Sequence, residues 1–502
     1  MSHSEALLGA VTVTEQSRRP ADLLRLPRSR YEAFAALVGW GVLMQLLTGR
    51  GEQSLWLLPV LLSAIALILR PWSVTAMTVL LVSITGRTLF DLDAPPGFWL
   101  LLAVLTPFWL GSLYAAAMRH RSWPRMSEMG PRFGPVFRTG FLIGWAVVAI
   151  HQINDGFTSA ATSCAVAVYD RSRDLLVVLP ELDDGGPGWF PGAVVALQLL
   201  LVVGLMFPWM RRLPLAAALL FHVVVGAAAP QLSALAFAFI VLLMRHEVVD
   251  AGLDQLSAIG HRHWWPSVVV AIPVVVVMFL ATVRVLTGVV AGAEPLGGAP
   301  TDFGPSVAAL AAVLTGLVLL VLYGAGTFGP PSPTESPTPT EWVGPVALLA
   351  GIVVALLGLA PYLGLGTAYA FADATNLRTE EGRWNHHAIP AATSVFDTQT
   401  PLVRSLDPDH PDLAPLADDL VVPLDDVRLV EGELRRRLNR TCGDGSADGD
   451  DDETEALTLR VGASLATIDD VCADEGLTAS DGWFVDRVLG YRPVPIDGAC
   501  PA

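Results

Sequence analysis

Runs of apolar residues long enough to cross, or nearly cross, a bilayer fall at about 33–48, 54–69, 73–89, 97–118, 136–151, 189–210, 213–229, 231–244, 267–290, 305–326 and 343–366. A helical span needs roughly 20 apolar residues. The third and eighth runs are short and read as tilted, re-entrant or half-spans. The pattern predicts an all-α polytopic membrane core of about 9–11 transmembrane helices. After the last run the pattern changes. Short strand-like runs at Leu420–Val422 and Leu457–Val461 lie either side of an amphipathic stretch at about 424–440, which opens Asp425-Asp426 and closes Arg435-Arg436-Arg437. Acids first and bases last is the order a helix dipole favours. A helix is therefore expected over 424–440, within a small α+β domain.

Four segments follow from this pattern: an N-terminal segment over 1–32, the helical core over 33–366, a polar cap over 367–405 and an acidic domain over 406–502. A Pro-rich stretch at 329–340 reads as an extended spacer between the last two spans. The first 30 residues are polar and Arg-rich, with no apolar core before a small-residue site, so no cleavable signal peptide is expected.

Composition agrees with the pattern and adds a second fact. A hydrophobic fraction of 53% and a mean hydropathy of +0.52 fit a multi-pass membrane protein and not a soluble enzyme. The charge lies elsewhere: residues 371–502 hold 27 Asp and Glu against 11 Arg, a net of −16 out of −17 for the chain. All 31 basic residues are Arg. A Lys-free chain with an Asp-heavy tail points to a protein adapted to very high salt, where carboxylates keep a surface hydrated.

Arg also sets the expected orientation. Arg18, Arg19, Arg25, Arg28 and Arg30 precede the first run. Arg119, Arg121, Arg125, Arg132 and Arg138 lie around the fourth loop, and Arg211, Arg212 and Arg245 come later. With eleven crossings these clusters share one face, which the positive-inside rule makes cytoplasmic. The N-terminus is then inside, and the 152–188 loop and the acidic tail are outside, at the cell membrane. Cys164, Cys442, Cys472 and Cys500 all fall on that outer side, as disulfide-forming cysteines of an oxidising compartment do. Four cysteines allow three pairings.

Two further motifs lie in the tail. Asp444 to Glu455 matches a twelve-residue calcium loop in spacing, but Asp451 takes its usual apolar position, and it reads as an acidic solvated loop. Asn439-Arg440-Thr441 is a glycosylation sequon. No metal site is assigned.

Polar side chains inside apolar spans are costly to desolvate and are default functional candidates. The fifth run ends Ala149-Ile150-His151-Gln152-Ile153-Asn154-Asp155. Continued as a helix, it puts His151 and Asp155 one turn apart, with Asp155 raising the basicity of a candidate base. His222 falls mid-span in the seventh run. Gln198 in the sixth and Gln45 in the first read as hydrogen-bonding to neighbouring helices, and Arg87 and Arg284 sit near span ends, in reach of lipid headgroups. After the last span, Asn376 to His387 packs two amides, two Arg, two acids and two His into twelve residues. A polar segment fastened to the outer surface is able to cap a cavity between helices.

Three of these segments together are similar to the HTTM membrane family, which includes the vitamin K-dependent γ-glutamyl carboxylase. Ile150 to Asn154 resembles its Gly-x-x-Lys-Leu-(Asn/Asp) helix end. Phe221-His222-Val-Val-Val-Gly resembles its Phe-His-hydrophobic-Gly helix. Asn376-Leu377-Arg378-Thr379-Glu380 with Gly382, Arg383, Asn385 and His386 resembles its Asn-Leu-Arg-x-Glu-Gly-x-x-Asn-His stretch. The resemblance covers roughly residues 33–400. It implies an outward cavity for a lipophilic ligand of quinone type and redox-linked proton abstraction, with His151 and His222 as catalytic candidates. Gln152, Asn154, Asp155, Asn376, Arg378, Glu380, Arg383, Asn385 and His386 would surround the cofactor. Two departures exclude glutamate carboxylation: Gln152 stands where the family has its Lys base, and Pro95-Pro96-Gly97-Phe98-Trp99 stands where it has an Asn-His site. The rival readings are a catalytically inactive membrane scaffold whose acidic tail binds a partner protein and, last, a transporter. The partners expected are the lipid bilayer and a lipophilic small molecule, not nucleic acid.

Overall fold

The computed structural model describes residues 27–48, 56–90, 97–120, 123–182, 187–207, 209–262, 274–283, 285, 303–328, 344–367, 370–371, 375–380 and 384–396. In the tail it describes 402–405, 427–430, 433–435, 457–461, 464–468, 494–495 and 500. The linker at 329–340, Leu420–Val422, the sequon, the 444–455 loop, Arg284, Arg383, Cys442 and Cys472 lie outside the described residues.

The described parts of the apolar runs fold as helices, and three further helices form between the runs among the described residues. They are α1 (Arg30–Thr48), α2 (Leu57–Leu69), α3 (Val74–Phe90), α4 (Gly97–His120) and α5 (Met126–His151), then the short α6 (Asp155–Thr158) and α7 (Cys164–Leu175). After these come α8 (Phe190–Met206), α9 (Arg212–Ala228), α10 (Pro230–Leu243), α11 (His246–Arg262), α12 (Val274–Val283), α13 (Phe303–Phe328) and α14 (Pro345–Leu359).

Among the described residues, five helices are long and apolar enough to cross a membrane: Arg30–Thr48, Phe98–Arg119, Met126–His151, Pro305–Thr327 and Pro345–Leu363. A sixth is added if α10 and the first part of α11 form one broken span, bent by 114°. The eighth apolar run thus ends at a sharp break. The helices α2, α3, α8, α9 and α12 are apolar but shorter.

A helix that is apolar on every side belongs in the interior, and α10 sits there. Ala234 through Leu243 are each at most 1% exposed, with α1, α5, α9 and α13 packed around them. Phe239 stacks on Phe141 with ring centres 4.9 Å apart, and meets the edges of Phe34. The contact with α1 is close: a Cβ on Gly41 would lie 2.6 Å from Leu235.

The break after α10 is capped from α1. The buried Arg30 guanidinium donates from Nη1 to the Met244 carbonyl at 2.8 Å, placing a cation at the negative end of the helix dipole. Tyr31 covers Gly130 near the start of α5, and the Tyr323 hydroxyl donates to the Arg212 carbonyl at 2.9 Å. These contacts tie together helix ends that carry Arg. Arg87 lies over the ring of Trp99, 4.8 Å from its centre.

In the tail, β1 (Leu402–Ser405), β2 (Val427–Val430), β3 (Leu457–Val461), β4 (Ser464–Ile468) and β5 (Val494–Pro495) form an antiparallel sheet of order β4-β3-β1-β2-β5. The run at Leu457–Val461 is a strand, as its residues predict. The helix expected over 424–440 is corrected: Val427–Val430 pairs with β1, Leu402 opposite Val430 and Val403 opposite Leu429. Only a helical turn at 433–435 is described beyond it. Two valines and a leucine in four residues suit a pleated surface once β1 offers an edge, and that tertiary partner outweighs the charge pattern. Because β1 pairs with both β2 and β3, the end of the polar cap belongs to this sheet.

Candidate functional site

A cavity of about 210 Å³ lies between α5, α7, α8 and α9, near the end of α5. Its wall is nearly all apolar, with Phe141, Val148, Phe157, Phe190, Val194 and Phe221 among the lining residues. Four polar side chains interrupt the wall on the α5, α8 and α9 faces: Trp145, Gln152, Gln198 and His222. Trp145 and Gln152 are seven residues apart in sequence, hence on one face of α5. Between them, Gln198 of α8 bonds to both. Its Oε1 accepts from the Trp145 indole at 3.3 Å, and its Nε2 donates to Gln152 Oε1 at 2.7 Å. The expectation that Gln198 bonds to a neighbouring helix and the expectation that Gln152 faces a ligand space meet at one place.

His222 stands beside this chain. Its ring lies 5.3 Å from that of Trp145, and its Nδ1 is 3.4 Å from Ser233 Oγ on α10. Its Nε2 has no hydrogen-bond partner among the described residues. Over the cavity, α7 forms a lid from Cys164, Ala165, Val168 and Tyr169. The Tyr169 hydroxyl donates to the Pro180 carbonyl at 2.8 Å, and its ring meets Phe190 edge-on.

The remaining candidates gather at a junction next to the cavity. The expected pairing of His151 with Asp155 is corrected. The helix stops at His151, because Asn154 takes extended backbone and caps α6, its Oδ1 accepting from Phe157 N–H at 2.8 Å. His151 is 1% exposed, is not among the residues lining the cavity, and bonds through Nε2 to the Gly358 carbonyl at 2.8 Å. Asp155 faces outward and pairs with His387 at 3.5 Å.

Asn154 is the centre of this junction. Its Nδ2 donates to the carbonyls of His151 and Thr375 at 2.6 and 2.7 Å, and its Oδ1 also accepts from Asn385 Nδ2 at 3.1 Å. Asn385 donates as well to the Asn376 carbonyl, and its Oδ1 accepts from Arg378 N–H, both at 2.8 Å. Asn376 adopts positive φ (52°) and ties down the start of α7: its Oδ1 accepts from Cys164 N–H at 3.0 Å, and its Nδ2 donates to the Thr162 carbonyl. Glu380 is buried, its Oε2 accepting from Thr379 N–H at 3.0 Å.

His386 completes the seam. Two backbone amides, of Ala388 and Ile389, donate to its Nδ1, which leaves Nε2 as the donor to the Ile150 carbonyl at 3.0 Å. Burial, the largest influence, and the neighbouring His387 hold its pKa below the ordinary 6.5, against the opposing effect of the Ile150 bond. So Asn154, Asn376, Asn385 and His386 bond mainly to backbone and to one another. None of them lines the cavity.

The start of α7 is also fastened covalently, to the acidic domain. Cys164 and Cys500 form a disulfide with Cα atoms 5.0 Å apart, which selects one of the three pairings. Cys164 is buried against Phe157 and Val195, with Cys500 packed on the same cluster. Three groups escaped the sequence reading: Trp145, Tyr169 and Ser233. The heptad spacing of Trp145 from Gln152 was the available signal for the first. The other two are ordinary residues until their neighbours are known. Comparison of the chain with protein-family models, with curated proteins and with solved structures finds no match to any of them.

Proposed function

We propose that this chain is a multi-pass membrane protein that holds a lipophilic ligand of quinone type in the cavity under α7. The observation that carries the reading is the lining: an apolar space about the size of one fused ring system, interrupted by the Trp145–Gln198–Gln152 chain and His222. Sites for small lipophilic ligands combine apolar walls with a few placed polar groups in this way. Any proton held or moved at the ligand falls to His222, which lines the cavity, and not to His151, whose ring holds α5 to α14. The HTTM-like segments support a shared architecture, which transfers more safely than an activity. Glutamate carboxylation is not proposed, since the chain holds no Lys.

The orientation proposed is N-terminus inside and tail outside. The contacts among Arg-bearing helix ends support it, as does the Cys164–Cys500 bond, which joins the loop after α5 to the tail on one side of the bundle. Protease added to intact cells is expected to remove the acidic domain; protection of the tail in intact cells but not in inverted vesicles would reverse this orientation.

The decisive experiment is mass spectrometry of lipophilic molecules that co-purify from a high-salt host. A quinone near one per chain is expected in the wild type and reduced in His222→Ala and Gln152→Leu. A wild type with no specific ligand defeats the reading. One observation favours the alternative of a silent scaffold: the polar residues of the 375–386 cap bond to the junction and not toward the cavity. Under that reading, function survives His222→Ala and is lost on removal of the tail.

A further inference from the structure

We infer that Trp145 sets the direction of the polar chain in the cavity wall, so that the wall offers N–H donors and selects a ligand presenting a bare carbonyl over one presenting a hydroxyl. The inference rests on the cavity proposed above and adds which redox form of a quinone-type ligand it takes.

Direction follows from the chemistry of the indole. A tryptophan Nε1–H donates and has no lone pair in the ring plane to accept with. The atom of Gln198 that faces it at 3.3 Å must therefore be the carbonyl oxygen. That choice turns the Gln198 amide nitrogen toward Gln152, whose oxygen accepts at 2.7 Å. The Gln152 nitrogen is left pointing away from Gln198, with no hydrogen-bond partner among the described residues. Gln152 lines the cavity. One donor-only group two turns back on α5 thus fixes the sign of the amide at the ligand. Reversing both amides sets two N–H groups face to face at the indole, which a buried site does not tolerate.

His222 also lines the cavity, though its Nε2 is itself buried. Ser233 Oγ makes no other hydrogen bond among the described residues than the one with His222 Nδ1. With the hydroxyl donating, Nε2 carries the ring proton. The Tyr169 hydroxyl donates to Pro180 at an exposed position on α7, so the acceptor that remains on its oxygen lies at the outer edge of the wall. A ligand carbonyl finds the Gln152 N–H as its donor here. A ligand hydroxyl brings a hydrogen into a wall of Phe and Val side chains and leaves it unbonded, a penalty on the order of tenfold in affinity.

The test uses the full-length protein in nanodiscs and equilibrium dialysis with two probes of nearly equal shape. These are 2-methyl-1,4-naphthoquinone and its 1,4-diol, the latter kept reduced without oxygen. The wild type is expected to bind the quinone at least about tenfold more tightly. Trp145→Phe keeps a ring against Phe141 and His222 but frees both amides to turn, and should bring the two affinities within about threefold. Gln198→Leu interrupts the same chain at its middle and should do likewise, so the result does not depend on one variant folding. Equal binding of the probes by the wild type, or an unchanged ratio in a folded variant, overturns the inference and leaves the cavity as a ligand site. No binding of either probe by folded wild type overturns the ligand reading and this inference with it.

Discussion

His386 stays neutral because of where its two ring nitrogens point. Nδ1 receives two backbone amides and Nε2 donates to Ile150, so a second ring proton has no place to go without displacing Ala388 and Ile389. Around it stand the ring of Tyr362, the exposed His387 and, paired with His387, the exposed Asp155. Its folded pKa is lowered from 6.5, so below that value the unfolded chain takes up a proton that the folded chain refuses. Stability is then fully present above the ordinary histidine value and falls as pH drops through it toward the folded pKa. Thermal denaturation between about pH 7.5 and about pH 5.5 should show this loss. His386→Gln should be less stable throughout yet flatter over that window. Asn154 makes a sharper case. Fully buried, it satisfies two carbonyls, one backbone amide and one side-chain amide. Asn154→Ala is expected to lower stability by at least about 2 kcal/mol. Asn154→Asp is no rescue, since it turns an acceptor toward the carbonyls of His151 and Thr375. Denaturation of the purified variants checks both.

At the scale of elements, periodicity located helices well and their ends poorly. The apolar runs that became α1, α4, α5, α13 and α14 are long, and α4 continues through Pro107. The end of α5 was misread because a helix stop at Asn154 depends on a cap, and a cap is visible only when its side chain is seen bonded. The amphipathic stretch at 424–440 failed for a related reason, since β2 forms against β1, more than twenty residues away. Helix packing gives a direct test. Gly41 lets α1 approach α10, and the space for a Cβ is already filled by Leu235 and its backbone nitrogen. Gly41→Val should destabilise by about 1–3 kcal/mol or more through overpacking, while Gly111→Ala, where a Cβ meets nothing, should not. Melting temperatures of the two variants side by side decide it.

For the whole molecule, a disulfide across 336 residues adds to the backbone in joining the acidic tail to the helical core, from the start of the lid helix to the C-terminal region. The hydrogen bonds of Asn376 and Asn385 run alongside it. Reduction, or Cys164→Ser, is therefore expected to loosen the tail from the core before it affects the helices. Limited proteolysis under reducing and non-reducing conditions measures this: faster cleavage after residue 396 is the expected result, and identical patterns would contradict it. The same change should weaken retention of a cavity ligand, because Cys164 is part of the lid.

What the sequence determined by itself is the material whose physics is local. Long apolar runs must be buried or placed in lipid, so the apolar helices, the acidic tail and the strand at Leu457–Val461 were legible from residue order alone, while the lid helix α7 was not. Likewise, the costly polar groups His151, Gln198 and His222 could be named from their positions within apolar runs, and Gln152 from the family resemblance. Only the tertiary structure decided which of them share a space. Gln152 and Gln198 lie 46 residues apart, yet bond at 2.7 Å. His151, one residue from Gln152, turns away to Gly358, 207 residues on. The pairing of Cys164 with Cys500 is of the same kind. Each is a contact between distant parts of the chain, set by how helices pack, and residue order holds the chemistry of the partners but not the distance between them.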